Sequence, residues 1–341
     1  MSADNLFERD TGAAASGKLS PEALERSVFS LLGAPRGEVL IGPAVGEDAA
    51  VINWPRGKLL VFASDPIVGA SRGAGRLLVR VNANDIATKG GEPLFIAVTL
   101  IFPPSMGEGA VASAMREIHE ECAANGIAIV GGHTELNDMY SRPVLCASLI
   151  GAAERVFSAS DVKEGDAIYA SKHIGIEGMA ILASDRPDLL EGFFTPGEIR
   201  EIEGWMEHTS VLEESRILRE YASFMHDPTE GGFMGGVWEM CRLAGLSADI
   251  SGGAPPIHPY TRRASEALGF DPLRLVASGS MLATVPEKRV PAAEAAFSGL
   301  SVEITRVGTM AAPGAVLSAG AEAPEIYEEL WLLLKKGRLT D

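Results

Sequence analysis

The sequence predicts two α+β domains. Three observations carry that prediction. The chain has 341 residues, enough for two domains of about 150 each. Hydrophobic residues make up 46% of it, which is material for two real cores rather than a disordered chain. Strand-like and helix-like segments mix along its whole length, without the strict alternation of a doubly wound parallel sheet. The division is expected near residues 151–160. It leaves a loose N-terminal arm over residues 1–18, a first domain over 19–155 and a second over 156–341.

Ser20, followed by Pro21 and Glu22, reads as a helix start: a cap, a first-turn proline and an early acid. That helix is expected to reach Leu32 and stop at Gly33. Val39–Ile41, Ala50–Ile52 and Leu59–Ala63 read as strands, and Ala74–Lys89 as a helix stopped by Gly90-Gly91. A strand Leu94–Phe102 ends at Pro103-Pro104, a helix follows over Gly109–Ala124, and Ile127–Val130 and Val144–Ile150 are strands. Beyond Val156 the expected strands are Ala167–Ala170, Leu282–Val285 and Val302–Val307. The expected helices are Gly175–Ala183, Val211–Tyr221, Gly232–Ala244 and Pro324–Lys335.

Composition narrows the function. The net charge is -17, from 29 basic and 46 acidic residues. A nucleic-acid or anionic-membrane surface needs a basic face, so neither partner is expected. A polyanionic ligand would have to be met locally. Cys122, Cys146 and Cys241 are odd in number and widely spaced, which suits inert thiols in a reducing cytoplasm better than a disulfide framework or zinc site. Met1–Lys18 lacks the apolar run of a signal peptide, and no stretch approaches the ~18 apolar residues of a membrane span.

Four acidic clusters sit against apolar segments. Glu47 and Asp48 lead into a strand, where adjacent carboxylates repel unless a cation is near; a solvated turn reads the same residues. Asp65 ends the strand Leu59–Ala63, a usual place for ligands in α/β sites, though Asp65-Pro66 also favours a plain turn. Leu77, Val81 and Asp85 recur at i, i+4 and i+8, so Asp85 falls on an apolar helix stripe. A carboxylate there is costly unless paired or metal-bound. The segment His226-Asp227-Pro228-Thr229-Glu230-Gly231-Gly232 opens a helix, where glycines let a ligand approach backbone N–H groups; an ordinary cap and turn would look alike. Two glycine segments complete the set. Gly131-Gly132-His133-Thr134-Glu135 follows a strand and offers a histidine and an acid. Lys172, with Gly175 and Gly178, follows a strand and begins a helix, a phosphate-cradle pattern that is not a Walker A sequence.

In order, GEDAAVI, ASDP, ND-I-A, GGHTE and HDPTEGG resemble the motif set of the PurM-like, AIR synthase-related ATP-binding superfamily. The resemblance runs from about Val39 to Thr309 and is nearest to the hydrogenase-maturation protein HypE. It implies a PurM-like fold whose N-terminal sheet domains pair into a dimeric barrel, with ATP near that interface. It implies that Asp48, Asp65, Asp85 and Asp227 hold Mg2+ and the nucleotide phosphates. Lys172, Gly175, Gly178, Thr229, Gly231, Gly232, Asn84, Gly131 and Gly132 are carried with them as nucleotide contacts. Where the family usually has an aspartate this chain has His133, and Glu135 is the candidate replacement carboxylate. His133 and His226 are the candidates for proton transfer. The chain ends without the terminal cysteine on which HypE carries its carbamoyl group, so dehydration on its own tail is not expected, and no selenophosphate-synthetase Cys or Sec loop is seen. The expected activity is ATP- and Mg2+-dependent phosphorylation of an amide, carboxyl or phosphate oxygen of a small substrate. The alternatives are a kinase like the thiamine-monophosphate enzyme, or a non-catalytic nucleotide-binding partner in hydrogenase or cofactor maturation. A homodimer and a possible maturation-protein partner are expected.

Overall fold

The computed structural model describes residues 17–44, 49–67, 73–155, 157–250, 254–314 and 328–335. The first domain runs β1 (Gly17–Lys18), α1 (Pro21–Leu24), β2 (Val39–Ile41), β3 (Val51–Ile52), β4 (Leu59–Ile67), α2 (Ala74–Thr88), β5 (Glu92–Phe102), α3 (Gly107–Ala124), β6 (Ala128–Leu136) and β7 (Val144–Ala153). The second opens with β8 (Ala167–Ser171), α4 (Ile176–Asp185), α5 (Pro187–Leu190), α6 (Pro196–Glu203), α7 (Leu212–Leu218), β9 (Phe224–His226) and α8 (Gly232–Ala244). It closes with β10 (Ser247–Asp249), α9 (Pro259–Leu268), β11 (Leu282–Val285), α10 (Val290–Phe297), β12 (Ile304–Ala311) and α11 (Glu329–Lys335).

Each domain is built on a five-stranded sheet. The first has the order β1-β6-β5-β7-β4. Only β5 and β6 pair in parallel, joined by α3 as a crossover. The second has the order β10-β12-β8-β11-β9 and is antiparallel throughout. Its central strands are buried on both faces. Ala167 and Tyr169 of β8 join the core with Leu218, Val290 and Phe297, while Ile168 and Ala170 join Phe233, Val237 and Met240 of α8. Most of α2 is buried, and it packs with α3 against one face of the first sheet.

The other face of that sheet is covered in part by the β2–β3 region, where Val39, Ile52 and Trp54 pack on Phe95, Ala128 and Val130, and is open over β4. Along β4, Leu60 and Phe62 are 57% and 61% exposed, and Leu40, Ile41 and Val51 on the small β2–β3 ribbon are also uncovered. Strand alternation decides which polar residues face which way. One row across the sheet is Asp65, Ala147, Val98 and Gly132, on the α2 side; the next is Pro66, Cys146, Thr99 and His133, on the open side.

Two expectations change here. The arm expected over residues 1–18 ends in β1, whose Gly17 and Lys18 pair with Leu136 and Glu135 of β6; residues 1–16 lie outside those described. The helix expected from Ser20 to Leu32 begins as predicted, with Ser20 Oγ accepting from Ala23 N, but continues as a π turn over Glu25–Phe29. The wider turn lets neighbouring Arg26 and Ser27 both reach Glu108 of α3.

Gly132 shows how tightly β5 and β6 approach. Its φ is +144°, and a Cβ there would lie 1.8 Å from the Val98 carbonyl oxygen. Gly132→Ala should therefore cost more than about 3 kcal/mol, read as a lowered denaturation midpoint.

Candidate active site

The candidate site lies between the domains, where β4 and α2 of the first face the β9–α8 turn of the second. Asp65 comes from β4. Its backbone N–H donates to Asn82 Oδ1 at 3.0 Å, which fixes the strand end to α2. Asp85 lies on the α2 face that meets β4, as the i, i+4, i+8 pattern predicts, and is hydrogen-bonded to Asp65. Asp227 follows β9 and is buried at 5% exposure. Asn84 Nδ2 donates to Asp227 Oδ2 at 3.0 Å. The other oxygen, Asp227 Oδ1, is buried with no hydrogen-bond partner.

The electrostatics are those of a site with more buried acid than positive charge: Lys89 opposes the shift of Asp85 and Lys172 that of Asp227, and neither cancels it. Burial, then the hydrogen bond and charge of Asp65, and then the charge of Asp227 push Asp85 up to about 8. Burial pushes Asp227 up to about 7 against the opposing bond from Asn84. Nearby Glu177 is also raised by burial, to about 7. Among the described residues no three His, Cys, Asp or Glu side chains form a ready metal-binding cluster. Asp65, Asp85 and the orphaned Asp227 oxygen are nevertheless hard oxygen donors of the kind magnesium takes. Asp48 lies outside the described residues.

Two adjoining cavities, of about 410 and 510 Å³, open on these acids and share Asp65, Val81, Thr229 and Glu239 in their walls. The smaller adds Asp85, Asp227, Lys89 and His226; the larger reaches Glu177 and Trp331 of α11. His226 Nε2 lies 2.8 Å from Glu239 Oε2, forming a histidine–carboxylate pair on the cavity wall.

Several predicted contacts have other work. Lys172 is not open to a phosphate: its ammonium donates to Ser210 O at 2.6 Å and His208 O at 3.1 Å, and pairs with buried Glu214 at 3.0 Å. It does so from a left-handed backbone, φ +53°, a strain of about 1 kcal/mol for a residue with a Cβ. Gly175 and Gly178 serve packing, since a Cβ on Gly178 would lie 2.4 Å from Leu275. Gly231 N donates to Glu328 Oε2 of the C-terminal segment and Gly232 N to Thr229 O, so neither N–H is free for a ligand. Thr229 itself remains exposed on both cavities.

His133 and Glu135 do not join the acids within one chain. They pair with each other at 3.1 Å, on the open face of the first sheet. Residues 133 and 135 have the opposite parity to 132, which shares a row with Asp65, so the alternation of β6 turns them away. Gly131 shares that open side, and Gly132 serves strand packing.

Asn84 is a clamp rather than a nucleotide contact. Fully buried, it donates to Thr209 O and Asp227 Oδ2 and accepts from Val211 N, all at 2.9–3.0 Å. Lys172 holds the same 208–210 segment from the other side. Asn84→Ala should cost about 3 kcal/mol, because it leaves several buried groups unpaired, measurable by urea denaturation. Reading the sequence missed Lys89, Glu177, Glu214 and Glu239. Glu239 had a visible signal, an acid within the helix that HDPTEGG opens; Glu214 had none.

The described architecture is a two-domain, PurM-like α+β fold. Comparison with known proteins agrees. The family models "AIR synthase related protein, N-terminal domain" and "AIR synthase related protein, C-terminal domain" match residues 46–153 and 163–317. The chain belongs to this AIR synthase-related family. It is 29% identical over 286 residues to a putative hydrogenase expression/formation protein of Methanocaldococcus jannaschii, covering 80% of this chain and 82% of that protein. It is 28% identical over 289 residues to carbamoyl dehydratase HypE of Cupriavidus necator, covering 79% and 78%. The fold is similar to that of HypE in complex with ATP (TM-score 0.73, 19% identity, 88% and 89% covered). It is also similar to thiamine-monophosphate kinase of Stenotrophomonas maltophilia (0.70, 19%, 88% and 96%) and to a chain of a HypE–HypF complex (0.63, 21%, 78% and 87%). Among the described residues no helix is long and apolar enough to cross a membrane.

Proposed function

We propose that this protein is an ATP- and Mg2+-dependent enzyme that transfers a phosphoryl group to an oxygen of a small substrate. The carrying observation is the meeting of Asp65, Asp85 and Asp227 beside cavities large enough for a nucleotide: burial and the charges of Asp65 and Asp227 push Asp85 up, a repulsion that a bound cation would relieve in place of a proton. Asp65, Asp85 and Asp227 would hold the metal, with Asp48 added from the family resemblance. A bound magnesium ion neutralises charge on the phosphate oxygens.

The chain's own groups do the rest. Thr229 offers a hydroxyl to the nucleotide on the shared wall of the two cavities. Lys89 contributes a positive charge to the smaller cavity. Glu239 engages His226 Nε2 and orients the ring, so that Nδ1, the nitrogen Glu239 leaves, takes the proton of the acceptor. The α2 helix and the clamp at Asn84 keep the acids in place without rearrangement. Titration with ATP in the presence and absence of magnesium, followed by a screen for ADP release, tests the reading. A stable phosphorylated product identifies a kinase, and free phosphate with a modified substrate identifies an activating or dehydrating enzyme.

The open face of the first sheet supports a homodimer. Leu60, Phe62 and their neighbours form the apolar surface that pairing would cover, and pairing would bring His133 and Glu135 to the interface. Phe62→Glu should halve the mass seen by light scattering. Action in the cytoplasm and a partner protein in metallocentre maturation fit the same reading, by analogy with the HypE–HypF assembly.

A further inference from the structure

We propose that the seam at the connection between the domains, which shares no wall residue with the acid cleft, carries a second ligand site that takes a phosphate group. A cavity of about 650 Å³ opens there. Its walls come from both domains and from the segment between them: Lys58 and Glu92 from the first, Arg219 and Arg289 from the second, Arg155 and Phe157 from the connection.

Its charges separate into paired and unpaired. Glu154 pairs with Lys58, Glu92 with Arg216 and Arg219, and Glu220 with Arg219. Glu154 and Glu92 are thereby engaged in close ion pairs, while Glu220 is held loosely, 3.9 Å from Arg219. Arg155 and Arg289 are left without a carboxylate within 4.0 Å among the described residues. Among the described residues their hydrogen-bond acceptors are backbone carbonyls just beyond α7: Arg219 O at 2.7 Å and Ala222 O at 3.5 Å for Arg155, and Tyr221 O at 3.3 Å for Arg289. Each guanidinium has five N–H donors in a fixed fork, and each engages carbonyls through a single nitrogen. The remaining donors carry uncompensated charge in a concave site, on a chain whose net charge is -17.

The fork of Arg155 is also held in place. Its guanidinium carbon lies 4.0 Å from the Phe157 ring centroid, and Phe157 is buried at 6% exposure. Planar, preorganised guanidinium groups with spare donors suit the oxygens of a phosphate better than any other common ligand group. The volume exceeds that of a bare phosphate, so the site accommodates a phosphorylated small molecule whose body lies along Ala152 and Phe157. Such a ligand would touch both domains at once.

The test uses inorganic phosphate and phenyl phosphate as probes, without magnesium or nucleotide, on the full chain. Calorimetry and thermal melting are read for wild type, Arg155→Met/Arg289→Met, Glu220→Gln and Asp85→Ala. The expected result is saturable binding of one or both probes to wild type, weakened at least about tenfold in the double variant and unchanged in Asp85→Ala. Tighter binding to phenyl phosphate assigns the site to a phosphorylated molecule; equal binding assigns it to the bare ion. Glu220→Gln removes a competing charge and should tighten binding, a readout that stands even if the double variant folds poorly. No binding to wild type at about 10 mM probe, or binding that the double variant keeps while Asp85→Ala loses it, overturns the proposal. In that case the two arginines serve only to cap the end of α7.

Discussion

Replacing Asp85 with alanine should abolish magnesium-dependent ATP binding, with a loss of at least about 100-fold by calorimetry. Of the three clustered acids, Asp85 gives the cleanest result. Asp227 is tied to Asn84, so its removal also loosens the domain clamp. Asp65 lies in a strand whose backbone is tied to Asn82. Asp85 has no such tie to the backbone or the clamp: its carboxyl meets Asp65, the cavity and the charge of Lys89, and the repulsion relieved by its loss outweighs the attraction to Lys89. The variant should therefore fold at least as well as wild type while failing to bind. Tight magnesium-dependent binding by a folded Asp85→Ala protein would take Asp85 out of the metal set. Absence of ATP binding by wild type would remove the nucleotide reading itself.

The second large effect is on stability in the absence of metal. Asp85 is raised from 3.8 to about 8, and Asp227 and Glu177 to about 7, burial being the first cause in each. A folded-state pKa above the unfolded value means that the folded state holds its proton more tightly. The resulting stability is fully present below the unfolded value and is lost as pH rises through the folded value. Metal-free protein kept in chelator should thus weaken from about pH 4 to pH 8. Asp85 is partly open to solvent, so its share is discounted to about 2 kcal/mol, or about 4 °C in melting temperature for a domain of this size. Asp85→Asn should flatten the profile by that amount, and magnesium should raise the wild-type melting temperature more at pH 8 than at pH 5. A flat wild-type profile would mean that the carboxyl groups separate in solution.

Much of the fold was legible because the signals are local. The apolar stripe of α2, the terminators Gly90-Gly91 and Pro103-Pro104, and the runs of β5 and β7 fix those elements to within a few residues. Short elements were missed. β9 and β10 have three residues each, too few for a period to show. α6 was missed despite a readable mark, the capping box in which Thr195 and Glu198 bond reciprocally. The expected helix Pro324–Lys335 is described only over α11, its earlier residues lying outside those described. In the site, Asp65 and Asp85 could be placed because strand ends and helix faces are sequence properties. The work of Lys172 and Asn84 could not, because their partners are 36 to 42 and 125 to 143 residues away, and only the closed fold brings them together. Cys146 is half-buried on the open sheet face rather than buried like Cys122 and Cys241.

The three bonds of Asn84 also bear on how fast a ligand can enter. Parting the domains would strip a buried amide of every partner at once, at roughly 1 kcal/mol or more for each bond. Fewer than about one molecule in a hundred would then stand open at any moment. Exchange must run through the mouth already present beside Thr229, and association should follow a single exponential whose rate rises linearly with ligand concentration. A plateau in that rate would betray a breathing step, which Asn84→Ala would accelerate.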